Sequence, residues 1–117
     1  MHIDSFHMNI EEADLRAPVV KYGDLVGYVH VSENTRGYLG SGQVAFDQLF
    51  RALAEIGYSG PVTFETFSPD LLQPDFAGLL ALWRPFYDDP DDLGAHAVGF
   101  IRNKLRVAQA VKEAASR

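Results

Sequence analysis

Leu25-Val26-Gly27-Tyr28-Val29-His30-Val31-Ser32 is the stretch on which the fold turns. It reads as a buried strand. Side chains alternate across a strand with period two, so Val29 and Val31 point one way while Tyr28, His30 and Ser32 point the other. The apolar face should meet helices, and the polar face should form the inner wall of a barrel. The same logic repeats downstream: Gly60-Pro61 marks a turn into Val62 to Phe67, where Val62 and Phe64 share one side and Thr63 and Glu65 the other. Upstream, Met1 to Phe6 reads as a short strand stub followed by a polar loop.

Helical segments separate these strands. Pro18 suits the first turn of a short helix ending near Gly23. Glu33 to Gln43, rich in glycine and polar residues, reads as a loop. Phe46 to Ile56 then places Leu49, Phe50, Leu53 and Ile56 on one helical face, with Gly57 as terminator. The proline-rich, acidic stretch Ser68 to Pro90 reads as a long loop with a short helix around Phe76 to Trp83. In the last element Val98, Ile101, Leu105, Ala108 and Val111 define a stripe, with Asp91 and Asp92 at its start and Arg102, Lys104, Arg106 and Lys112 further on, as the helix dipole favours. Strands alternating with helices argue a parallel α/β architecture in one domain over residues 1–117, without internal repeat or linker.

Composition narrows the class. The chain has 117 residues, a domain's length but under half of the roughly 250 that an eightfold barrel needs. Hydrophobic residues at 47% and charged residues at 22% are globular values. A formal charge of −6, with no basic stretch interleaved with aromatics, argues against a nucleic-acid partner. The absence of cysteine excludes disulfides and thiolate metal sites and suits a reducing compartment. No apolar run approaches membrane-spanning length and Met1 begins no basic-then-apolar leader, so cytoplasm is the expectation.

Three side chains carry the chemistry. Asp4, His30 and Glu65 each fall on or at the end of a strand, at intervals close to the roughly 30 residues that one strand-helix-strand unit consumes. Such units align their strand ends on one side of a barrel, so the three read as ligands of one divalent metal. Two of them also have an ordinary reading, Glu65 as a solvated strand end or ion-pair partner and His30 as a hydrogen-bonded core residue, and Asp4 at its strand end carries little weight alone. Gly37 to Gly42 lacks the Gly-Lys-Ser/Thr ending of a phosphate loop. Asp88-Asp89-Pro90-Asp91-Asp92 lacks the alternating ligands and central glycine of a calcium loop and reads as a solvated helix entry. His2 and His96 belong to no motif.

Three strings in order, Asp4-Ser5-Phe6-His7-Met8-Asn9-Ile10-Glu11-Glu12, His30 through Gly42, and Phe64-Glu65-Thr66-Phe67, closely resemble the C-terminal part of the ketose 3-epimerases. These tagatose and allulose 3-epimerases belong to the sugar phosphate isomerase/epimerase superfamily of xylose-isomerase-like TIM barrels. The resemblance implies the last three or so βα units of such a barrel. It also implies a divalent metal, Mn2+ first with Co2+ or Mg2+ as alternatives, held by Asp4, His30, Glu65 and a glutamate upstream of Met1. Glu65 would double as catalytic acid/base, and His7 and Arg36 would contact substrate. The implied reaction is epimerisation of a free ketohexose at C3 through a cis-enediolate, with a second carboxylate, also upstream, on the opposite face of the sugar.

Rival readings are hydroxypyruvate isomerase or inosose dehydratase relatives, which share enediolate chemistry, and a non-catalytic fragment that binds metal or self-associates through an open sheet edge. Endonuclease IV-type enzymes share part of the ligand set but carry an Asp-x-His string where this chain has Arg36-Gly37-Tyr38. Because the chain begins at its first ligand, a truncated product inactive alone is the expectation.

Overall fold

A computed structural model describes residues 1–117. Three short strands, β1 (His2–Asp4), β2 (Tyr28–Val31) and β3 (Val62–Phe64), run parallel in that spatial order. Register sets His2 beside Tyr28, Asp4 beside His30, and His30 beside Thr63. The ladder runs one step beyond β3, where the Glu65 N–H donates to the Val31 carbonyl at 3.0 Å. Two-residue alternation therefore puts His2, Asp4, Tyr28, His30, Thr63 and Glu65 on one face. Val29 and Val31 on the other face are fully buried.

That apolar face is covered by helices, as the alternation predicts. α2 (Arg16–Lys21) contributes Val19, α3 (Phe46–Glu55) contributes Leu49, Phe50 and Leu53, and Leu39 and Val44 close the core from the loop after β2. Gly57 ends the α3 segment at φ +69, a left-handed conformation in which only glycine escapes Cβ strain. No helix is long and apolar enough to cross a membrane.

Three expectations change. The polar segment after β1 is a helix, α1 (Ser5–Glu11), because Asp4 is extended and its Oδ1 accepts the N–H groups of Phe6 at 2.8 Å and His7 at 3.2 Å. Aspartate is among the strongest N-caps, and this one starts a helix too short and polar to announce itself by periodicity. The helix expected around Phe76 to Trp83 is α4 (Pro74–Leu79), which begins where Pro74 supplies a preset φ and stops before Ala81 at φ +56. The long last helix, α5 (Pro90–Ala115), buries Leu93, Ala97, Ile101 and Ala108, whereas Val98, Leu105 and Val111 are exposed. At about 100° per residue, Val98 lies well round the helix from Ala97, and the small Ala97 side chain suits the close side of the seam with α3.

Candidate metal centre

The polar face of the sheet opens into a cleft of about 460 Å³ whose walls include Asp4, His30, Glu65, His7 and His2. Asp4, His30 and Glu65 each present one ligand atom, and these atoms lie within 4.8 Å of one another. His30 Nδ1 is 3.6 Å from Asp4 Oδ2 and 3.5 Å from Glu65 Oε1. These separations are long for hydrogen bonds. They fit donors around one ion, since ligand bonds of about 2.0–2.2 Å place neighbouring donors about 3–3.6 Å apart. Two carboxylates and one imidazole are a hard, mixed oxygen-nitrogen set, so the residues present fit a divalent cation. All three side chains are largely shielded, with 10%, 19% and 26% exposure for Asp4, His30 and Glu65.

The second oxygen of each carboxylate is committed elsewhere. Asp4 uses Oδ1 to cap α1 and turns Oδ2 to the cleft. Glu65 Oε2 accepts from Arg36 Nη1 at 2.9 Å, leaving Oε1 toward His30. The His30 ring is met edge-on by His2 at 4.2 Å between centroids and by Tyr28 at 4.9 Å. Tyr28 in turn shares a 2.9 Å hydrogen bond with Thr63 Oγ1. His2, which belongs to no motif, is thus a packing partner of His30; the only sequence signal for it was its two-residue offset from Asp4.

His7 and Arg36 occupy different places. His7 is exposed at the start of α1 and lines the same cleft. Arg36 is buried at φ +62, its Nη1 donating also to Ser32 Oγ at 2.8 Å and its guanidinium lying 3.5 Å from the Phe6 ring centre. Its Nη1 is saturated by protein, so any sugar contact falls to its other N–H groups. Ser5 and Ser32, both fully buried, exchange hydrogen bonds of 2.7 and 2.8 Å that tie α1 to the end of β2. His96 shares a 2.9 Å hydrogen bond with the Leu39 carbonyl and does not line the cleft.

Residues 1–104 match the family model described as a xylose isomerase-like TIM barrel. The chain is 46% identical over 112 residues to a ketose 3-epimerase of Arthrobacter globiformis, covering 96% of this chain and 39% of that protein. Two solved structures are also similar. One of L-ribulose 3-epimerase has a TM-score of 0.94 at 39% identity, covering 99% of this chain and 39% of that one. One of D-allulose 3-epimerase from Methylomonas sp. in complex with D-allulose has a TM-score of 0.84 at 45% identity, covering 89% and 36%. The chain thus spans less than two-fifths of the length of these relatives.

Proposed function

The chain belongs to the xylose isomerase-like TIM-barrel family, and from that premise we propose that Asp4, His30 and Glu65 hold a divalent cation in a site that epimerises a ketose at C3 through a cis-enediolate. The observation that carries this is the donor triangle, three ligand atoms from three successive strand ends within 4.8 Å. A similar ketose 3-epimerase supports it. The resemblance to the ketose 3-epimerases puts Mn2+ first, with Co2+ and Mg2+ as alternatives that the mixed oxygen-nitrogen donor set accepts as well. Bound there, the cation supplies Lewis acidity to the neighbouring carbonyl and hydroxyl of the sugar.

The chain's own groups do the rest. Glu65, which would also hold the cation through Oε1, is the proton carrier on one face of C3, and the Arg36 clamp on Oε2 fixes the orientation of its carboxylate plane. Inversion needs a second carboxylate on the opposite face, which the resemblance assigns to a residue outside these 117. His7 offers its ring to sugar hydroxyls from the cleft wall. A small free ketose, a cytoplasmic setting and no nucleic-acid partner complete the proposal, the last in keeping with the charge of −6.

Titration calorimetry with Mn2+ tests it. The wild-type chain should bind one equivalent, and His30→Ala and Glu65→Ala should each weaken binding at least about tenfold. D-allulose should add a binding heat only with Mn2+ present. A folded wild type that takes up no Mn2+, or variants that bind it equally well, overturns the reading. The 117-residue chain alone is expected not to convert D-fructose to D-allulose.

A further inference from the structure

Glu33 is fully buried, yet no cationic side chain pairs with it. Its carboxylate is instead filled by backbone donors: Oε1 accepts from the N–H groups of Asn34 and Val44, each at 3.1 Å, and Oε2 from Gly40 N–H at 2.9 Å. An ionised carboxylate is acceptor-only, which matches three donors and no acceptors. Those donors lie at both ends and in the middle of the loop from Asn34 to Val44, so one side chain gathers the whole excursion. Asn34 Oδ1 adds a fourth stitch by accepting from Gln43 N–H at 2.8 Å.

The gathered loop contains Arg36. The Glu33 carbonyl accepts the Arg36 N–H at 3.0 Å, and Ser32, one residue earlier, receives Arg36 Nη1. Arg36 is held in a left-handed conformation that a non-glycine residue adopts only when its surroundings impose it. From there Nη1 reaches Glu65 Oε2. We infer that Glu33 is a positioning residue of the candidate site: its carboxylate folds the loop so that Arg36 is delivered to Glu65, which keeps Glu65 Oε1 turned toward His30 and Asp4. This inference rests on the cation reading above for its consequence, though not for its geometry.

The test compares wild type with Glu33→Gln, which keeps the shape but aims an amide donor at backbone donors. Ile101→Ala, a core variant on α5 and outside the loop, serves as a control for lost stability alone. Free Mn2+ measured by electron paramagnetic resonance gives the dissociation constant, and the Arg36 guanidinium 1H–15N resonances of the ion-free chain report its clamp on Glu65. Glu33→Gln should weaken Mn2+ binding about tenfold and displace the Arg36 resonances, while Ile101→Ala lowers the melting temperature and leaves both unchanged.

Wild-type affinity and Arg36 resonances in Glu33→Gln, or equal losses in Ile101→Ala, overturn the inference. If the wild type binds no Mn2+, the cation reading falls and the ion-free Arg36 resonances decide alone: displaced, the positioning role stands; unchanged, it fails. Should Glu33→Gln not fold, Gly42→Ala takes its place in both measurements. A Cβ there would lie 2.6 Å from Glu33 Oε1 and press on Asn34 Oδ1, displacing the carboxylate without altering its charge.

Discussion

Asp4 serves two structures with two oxygens: Oδ1 starts α1 and Oδ2 faces His30. Substitutions can separate these duties. Asparagine caps as well as aspartate, so Asp4→Asn should hold or raise ion-free stability, since it also removes one of two carboxylates facing a single imidazole. Its Mn2+ affinity should fall at least about tenfold. Asp4→Ala should lose the cap too, at about 1 kcal/mol, read by urea denaturation alongside the Mn2+ titration. At this scale the convergence of Asp4, His30 and Glu65 was legible because an acid and an imidazole on the polar side of apolar strands are chemically conspicuous. Glu33 was not: nothing in a glycine-rich loop reveals that its one acid folds inward, because its partners are backbone N–H groups that every sequence has.

The α3–α5 seam is where periodicity was misread. Val98 and Ile101 share a sequence stripe, yet Ile101 is buried and Val98 half-exposed. Ile101→Ala should therefore cost about 2–5 kcal/mol and Val98→Ala less than about 0.5 kcal/mol, a contrast that thermal denaturation resolves. A stripe of valines and leucines cannot say which alanines a neighbouring helix will press against, so the rotation of α5 emerges only when α3 is in place. The same seam carries an ion pair, Lys104 Nζ to Asp47 Oδ1 at 2.7 Å, and the lysine's hydrogen bond holds the Asp47 carboxyl below its ordinary range. With the folded value lowered, the pair's contribution is complete above the usual aspartate range and fades as pH falls through the folded value. Asp47 is exposed, so the effect stays below about 1 kcal/mol. Lys104→Met should flatten the part of the stability profile that lies below about pH 5.

At the level of the whole molecule, a three-stranded sheet has helices over one face and a polar cleft on the other. The parallel α/β plan was readable from alternation and turn residues, because strands covered on one side by helices leave a two-residue apolar beat. What spacing alone left open was whether the strand ends share one level, since that depends on register. Co-expression with the complementary N-terminal portion of the Arthrobacter globiformis relative should yield Mn2+-dependent interconversion of D-fructose and D-allulose that His30→Ala abolishes. An assembled but inactive pair would count against the proposed chemistry.

The pairing of Asp4 with His30 across β1 and β2 has a mechanical corollary. A slip of β2 by one residue would carry Val29 or Val31 into the place of the imidazole and turn the central stave of the inner wall greasy. An ion seated among the three side chains would then act as a rivet through neighbouring strands, resisting shear as well as serving chemistry.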